Sequence, residues 1–414
     1  MKILWVNAGF LHPTNRGGQI RTLEMLKRLH ARHEVHYIGL DNPTQPEGLQ
    51  HSNEYCTRAY PISLDAPPRR SLKFARQLAA NLFSSMPLSL GRYCSSAMRD
   101  KISELRAATD FNCVVCDFLT PAPNFADMNK VVLFQHNVET MIWRRHAEQA
   151  RDPFRKAYFR RQADRMEEWE CRMCRSAARV IAVSPQDADT MRKMFAVEAF
   201  SVPTGVDLDY FRRSQNPQPA ADLVFVGSMD WMPNCDGVNY FVRAILPLIW
   251  ERKPDCTLAI VGRSPSPAMR ALAKQDSRIQ VTGTVPDVRP WLWGASVSIV
   301  PLRIGGGTRL KIYEAMAAGT ATVSTSIGAE GLAVSHPADI RLADTPADFA
   351  GQCLSLLDDV SERQAVAGEA LRLVTSRFSW DVVTSQFEKL LIVDSGSAAV
   401  VAGSATEAAK RSRL

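Results

Sequence analysis

Three consecutive glycines, Gly305, Gly306 and Gly307, separate the apolar run VSIVPL (297–302) from a helical pattern that carries Lys311 and Glu314. A glycine loop that opens a helix turns backbone N–H groups toward whatever lies beyond the strand end, and an anion is the natural occupant. Lys311, one turn into the helix, adds full positive charge to the partial charge of the helix terminus. Thr308 stands where an N-cap belongs, and Gly319 ends the helical pattern before a second apolar run, Ala321 to Ser324. Only Thr308, Arg309 and Leu310 lie between the last glycine and Lys311, so this is not the GxxxxGK[ST] phosphate loop. Taken alone, the segment fits an anion site or a loop that merely turns the chain.

The elements that must hold this loop are strands alternating with helices. The chain opens with a strand, Lys2 to Val6, then a loop with Gly17 and Gly18, then a helix from Gln19 to His30 with Leu23, Leu26 and Leu29 on one face. Val35 to Leu40 completes a βαβ unit. Residues 41–70 are rich in proline and polar residues and read as loop. Strand-like runs follow at Cys113–Cys116, Val131–Gln135 and Arg179–Val183. Ser184-Pro185-Gln186-Asp187 has the makings of a helix start, with Ser as N-cap and Pro at the first helical position.

Residues 212–221 have a linker's composition, after which the pattern restarts with strands at Leu223–Val226, Leu258–Val261, Ile279–Thr282, Val297–Val300 and Ala321–Ser324, and a helix at Gly237–Ile249. Two successive βα series predict an α/β protein of two doubly wound parallel sheets. A last helix, about Asp381 to Ile392, carries an apolar stripe that must pack, and residues after about 395 are expected to fray.

The chain's 414 residues exceed one ordinary core, and a net charge of +7 is compatible with anionic substrates or an anionic membrane surface. MKILWVNAGF lacks the apolar length of a signal peptide, and no stretch approaches the roughly 20 apolar residues that span a bilayer, so a cytoplasmic protein is expected. Nine cysteines without a leader point to reduced thiols. The pairs Cys113/Cys116 and Cys171/Cys174 imitate a four-thiolate zinc site. The first nevertheless lies in a strand-like run and the second in an arginine-rich helical one, which favours the structural reading.

In order, the chain shows the Gly17-Gly18 loop, FQHN (134–137), VIAVSPQD (180–187) and VPTGVDLDYF (202–211). VGSMDWMPN (226–234), LAIVGR (258–263), VTGTVPDV (281–288) and GGGTRLKIYEAMAAG (305–319) follow. With these motifs over residues 1–394, the chain resembles the retaining, nucleotide-sugar-dependent glycosyltransferases of family 4. The resemblance implies the GT-B fold: two Rossmann-like domains facing a cleft, an acceptor-binding domain over 1–205 and a donor-binding domain over 206–378. A helix at 379–394 would cross back to the first domain, and 395–414 would form a tail.

The resemblance also implies roles. Glu314 matches the glutamate that accepts from the donor ribose hydroxyls, and His136 the histidine at the sugar-binding centre. Gly17 and Gly18 match the loop that admits donor phosphates or acceptor, and Val285 the position that contacts the base through its backbone. Two departures stand out. Gly306 occupies the place where relatives often have a second, sugar-reading glutamate, so backbone N–H groups of Gly306, Gly307 and Thr308 are expected to serve instead. The stretch beginning at Gly227 lacks the usual Arg and Lys that grip the diphosphate. Lys311 is the first substitute, with Arg263 and Arg309 behind it.

The implied reaction moves a sugar from a nucleoside-diphosphate donor to an acceptor hydroxyl with retention, as in cell-surface polysaccharide or glycolipid synthesis. His136, Lys311 and Glu314 would carry it. No metal or cofactor is expected, since Asp207-Leu208-Asp209 lies in the hinge pattern rather than at a strand end. The acceptor would be a sugar or lipid-linked sugar. Residues 69–110 mix basic residues with Leu and Phe at helical spacing, which suits peripheral contact with an anionic inner membrane face and equally suits core helices. Nucleic acid is not an expected partner. An epimerase or phosphorylase of the same fold, and a binding-only relative, are the nearer rivals. A nicotinamide-dependent oxidoreductase would need G-x-G-x-x-G after the first strand, where Asn7-Ala8-Gly9-Phe10-Leu11-His12 stands.

Overall fold

The structure is a computed structural model and describes residues 1–14, 17–63, 71, 76, 81, 84–150, 152–218, 220–304 and 310–392. The chain forms two compact units: Met1–Pro203 together with the chain from Val383, and Thr204–Val382.

The N-terminal unit is built on a seven-stranded sheet in the order β3-β2-β1-β4-β5-β6-β7, all parallel. Its strands are β1 (Lys2–Val6), β2 (Glu34–Asp41), β3 (Arg58–Ser63), β4 (Cys113–Asp117), β5 (Val131–Gln135), β6 (Arg179–Ala182) and β7 (Ala199–Ser201). The helices that matter here are α1 (Gly17–His30), α2 (Ser96–Ala108), α3 (Glu139–Gln149), α4 (Pro153–Ser176) and α5 (Pro185–Phe195). Strands β4 and β5 are buried along their whole length, as expected of a sheet covered by helices on both faces. Ser184 caps α5 through a bond from the Asp187 amide to its Oγ (3.0 Å), with Pro185 in the first turn. That is the cap the sequence predicts.

The C-terminal unit repeats the topology in six strands, ordered β10-β9-β8-β11-β12-β13. These are β8 (Ala221–Val226), β9 (Leu258–Val261), β10 (Ile279–Gly283), β11 (Ala295–Val300), β12 (Ala321–Ser324) and β13 (Arg341–Leu342). Its helices include α6 (Met232–Tyr240) and α7 (Leu310–Ala317). Helix α8 (Trp380–Leu391) ends the described chain. From Val383 it belongs to the N-terminal unit: Phe387 packs on Trp5 and Phe134, and Glu388 meets Arg32 and His33 at 2.7 Å. In both sheets the order reverses beside the first strand, between β1 and β4 and between β8 and β11. Such switch points open a crevice at the carboxyl ends of the strands.

Three readings are corrected. Residues 41–70 do not run only as loop: β3 lies at 58–63 with Pro61 inside it. It is an edge strand, and an edge tolerates a residue without an N–H, which is why proline hid it. The helix read over 237–249 begins at Met232 and widens to π geometry over Phe241–Ile245. Pro247 lacks the N–H that would bond back to Arg243, so the regular ladder fails there. The polar stretch from 212 is no free linker, for Arg213 donates to the Trp293 carbonyl at 2.6 Å. Among the described residues no helix is long and apolar enough to cross a membrane.

Candidate active site

In the N-terminal unit, polar side chains converge on the switch point between β1 and β4. Asp117, the last residue of β4, is wholly buried. Its Oδ2 accepts from Asn7 Nδ2 (2.7 Å), Thr22 Oγ1 (2.8 Å) and Trp5 Nε1 (3.1 Å). Its Oδ1 faces Nε2 of His136 at 2.8 Å. A carboxylate only accepts, so Nε2 carries the proton and the neutral ring presents its Nδ1 lone pair. Burial lowers the His136 pKa, which Asp117 opposes and Arg21 reinforces, and this favours the neutral ring.

Nδ1 of His136 is buried and has no hydrogen-bond partner among the described residues. It lies 3.5 Å from where a Cβ on Gly18 would stand. The Phe118 ring stacks on His136 at 3.8 Å between centroids, and Phe118 adopts φ 67° to place it there. A left-handed backbone at a non-glycine residue is strain that surrounding structure must sustain, and such strain gathers at functional sites. Gly18 is obligatory, because a Cβ there would come within 2.6 Å of the Phe118 ring. The structure therefore brings together two residues named from sequence, Gly18 and His136, with Gly17 as the first residue of α1. Sequence reasoning missed Asp117, although an acid closing an apolar parallel strand (CVVCD) was a usable signal.

In the C-terminal unit the named residues cluster at the carboxyl ends of β8, β9 and β11. Lys311 Nζ donates to Asn234 Oδ1 (2.7 Å) and sits over the Phe225 ring at 4.4 Å. The buried Asn234 in turn donates to the Ser228 carbonyl (2.8 Å), so one amide fixes both the lysine and the loop after β8. Gly227 makes room for this: a Cβ there would stand 2.8 Å from Lys311 Nζ and 2.7 Å from Asn234 Nδ2. Arg263, at the end of β9, donates from Nε to Ser228 Oγ (2.8 Å), with Asp230 at 3.5 Å. A guanidinium thus reaches the place where the sequence motif lacks its own.

Glu314 lies one turn beyond Lys311 on α7, half-buried, and its carboxylate makes no hydrogen bond or ion pair to a described residue. Desolvation raises its pKa, against the pull of Lys311. Val285 follows β10 and rests half-buried on the apolar cluster around β8 and α7. Gly305, Gly306, Gly307, Thr308 and Arg309 lie outside the described residues. Near Glu314 stands a group that sequence reasoning did not single out. Arg289 binds Asp287 with both Nε (2.9 Å) and Nη2 (2.6 Å) and covers the Tyr210 ring at 4.1 Å.

Gly262 is the tightest joint of this half. A Cβ on it would stand 1.8 Å from the Gly227 carbonyl oxygen, so the ends of β8 and β9 touch backbone to backbone. Gly262→Ala is expected to cost more than about 2 kcal/mol of stability, read as a melting temperature lowered by roughly 5 °C. An unchanged melt would show that the two strand ends can part freely.

Residues 220–359 match the family model described as glycosyl transferases group 1. This segment is a group 1 glycosyltransferase domain. The matched segment holds β8 to β13 and with them Gly227, Arg263, Lys311 and Glu314. Among curated relatives, the enzyme is 29% identical to a phosphatidyl-myo-inositol mannosyltransferase of Mycobacterium tuberculosis, over 53% of this chain and 61% of that one. Among solved structures, sucrose-phosphate synthase from Thermosynechococcus elongatus superposes with a TM-score of 0.66 at 18% identity, over 94% of this chain and 98% of that one. Anabaena HepE, solved with UDP, does so at 0.62 with 13% identity, over 94% and 99%. The glycosyltransferase has the GT-B fold of two Rossmann-like domains.

Proposed function

We propose that the enzyme transfers a sugar from a nucleoside-diphosphate donor to an acceptor hydroxyl with retention of anomeric configuration. The acceptor is a sugar or lipid-linked sugar of cell-surface polysaccharide or glycolipid synthesis. The observation that carries the donor assignment is the desolvated carboxylate of Glu314, without a hydrogen-bond partner among the described residues, one turn from Lys311 on the helix that follows β11. A carboxylate so placed accepts two hydrogen bonds from a vicinal diol such as ribose. Anabaena HepE, similar in fold, is known with UDP and with UDP-glucose, which agrees with such a donor.

In this reading the sugar C1–O bond to the diphosphate breaks and a C1–O bond to the acceptor forms on the same face. The acceptor proton passes to the leaving phosphate oxygen. Lys311, with Arg263 behind it, stabilises the charge that develops on the diphosphate, so neither metal nor cofactor is needed. In the N-terminal unit, His136 offers its Nδ1 lone pair to a sugar hydroxyl beside Gly18.

A thermal-shift screen with UDP, GDP, ADP and their sugars, with and without chelator, tests this. At about a hundred times its dissociation constant the right nucleotide contributes roughly 2.7 kcal/mol, a rise of several degrees that chelator leaves intact. No shift with any nucleotide, or a shift abolished by chelator, would contradict the reading. An epimerase would convert the donor sugar with no acceptor present.

A further inference from the structure

The turn between α3 and α4 combines two features that no part of the donor chemistry uses. The first is charge. Between residues 144 and 161 the described residues include six Lys or Arg (Arg144, Arg145, Arg155, Lys156, Arg160, Arg161) against two acids, Glu148 and Asp152, a net of +4 where the whole chain carries +7. Glu167 pairs with Arg144 at 2.6 Å. The second is an apolar side chain in water. Phe154, in the first turn of α4, is 85% exposed, the most exposed large apolar residue described.

The local architecture explains why this end stands clear. Helix α4 runs 24 residues and α3 only 11. The buried residues of α4 begin at Gln162, so its first nine residues contribute nothing fully buried to the core. Phe159 closes the base of the tip against Trp143 (6.1 Å) and His146 (5.7 Å), whereas Phe154 has no ring partner among the described residues. Farther along, Glu170 of α4 accepts from the Glu139 and Thr140 amides at the start of α3 (2.9 and 2.8 Å), tying the two helices together. The tip is therefore the end of a braced helical pair.

We propose that this tip docks the enzyme on an anionic phospholipid bilayer, with Phe154 entering the interface and the surrounding cations held by lipid phosphates. An apolar ring ringed by basic residues matches a surface that is apolar below and anionic above. The segment 69–110, which first raised membrane contact, offers less: its described helix α2 turns Met98, Ile102 and Leu105 into the core. Helix α3 starts three residues after His136 and runs about 16 Å, eleven residues at 1.5 Å each, toward the tip, so lipid docking there would hold a lipid-linked acceptor at the far end of the helix that begins beside that histidine.

Sedimentation with vesicles of mixed phosphatidylglycerol and phosphatidylcholine tests the proposal, with pure phosphatidylcholine vesicles as the neutral arm. The wild-type enzyme is expected to pellet with the anionic vesicles only, and less so at about 0.15 M salt than at low salt. Phe154→Ser and the pair R155E/K156E should each weaken binding more than about tenfold while the thermal melt stays unchanged, since none of the three residues is buried. Absence of wild-type binding to anionic vesicles, or undiminished binding by R155E/K156E, would overturn it. So would tight binding of a labelled oligonucleotide by the same tip in place of vesicles. The nucleotide thermal shift is read separately, so a failed donor assignment and a failed docking surface are distinguishable.

Discussion

Glu314→Ala is expected to lower kcat/KM for the donor by roughly a hundredfold and to leave the thermal melt at or above the wild-type value. Both halves follow from the same burial. The carboxylate sits in a desolvated place with no partner among the described residues, and Lys311 only partly offsets the cost of its charge. In the proposed reading a donor diol supplies the missing hydrogen bonds, each charge-assisted and contributing about 1.5–3 kcal/mol, so removing the acceptor forfeits them together.

Stability moves the other way. The folded-state pKa of Glu314 is raised above its unfolded value, so the folded protein holds a proton that the unfolded chain has already released. Stability therefore falls as pH rises through the window between the two pKa values, and the neutral side chain escapes that penalty. Activity that needs the ionised form should fade on the acid side at a higher pH than an ordinary carboxylate would give. Lys311→Ala is expected to cost more than about tenfold in turnover, because it removes the charge beside Gly227 and frees Asn234 as well. Wild-type activity in both variants would remove these residues from the site.

The second large effect belongs to Asp117→Asn, expected to cut kcat/KM by between about tenfold and a thousandfold, since it reverses what His136 offers. Three donors, from Trp5, Asn7 and Thr22, converge on Oδ2, and an amide NH2 cannot take their place there. The asparagine must turn its NH2 toward Nε2 of His136. That nitrogen then accepts, the ring proton moves to Nδ1, and the lone pair beside Gly18 becomes a donor. The shape of the pocket is preserved. Nitrogen-15 NMR of the imidazole reads the tautomer directly, and it should be exchanged relative to wild type. A loss of activity without tautomer exchange, or exchange without loss, would separate Asp117 from the chemistry.

Much of this was legible because it was local. Strands β9 and β12 fall on the predicted residues, for their apolar β-branched runs are bounded by glycine or polar turns. Ser184 announced its helix because a cap, a proline and an acid at fixed spacing satisfy the first-turn amides whatever surrounds them. Glu314, Lys311 and His136 were nameable because their motifs are contiguous. Asp117 was not, since its meaning depends on partners 19 to 112 residues away that only the sheet order brings together. Asn234 escaped for the same reason, 77 residues from the lysine it holds. Edge strand β3 escaped because proline argues against strand until one knows that the strand is paired on a single side. Basic segments mislead in the other direction: composition cannot tell α2, whose apolar face is in the core, from the tip of α4, whose phenylalanine is in water.

The central claim, that Glu314 holds the ribose of a nucleoside-diphosphate donor, is tested most directly by a calorimetric double cycle. The nucleoside diphosphate selected in the thermal screen and its 2′,3′-dideoxy analogue are titrated into wild type and Glu314→Ala. If the carboxylate reads the diol, the dideoxy analogue binds wild type more than about tenfold more weakly than the parent, while Glu314→Ala binds the two alike. An equal loss for the analogue in both proteins would place Glu314 outside the donor site and contradict the account.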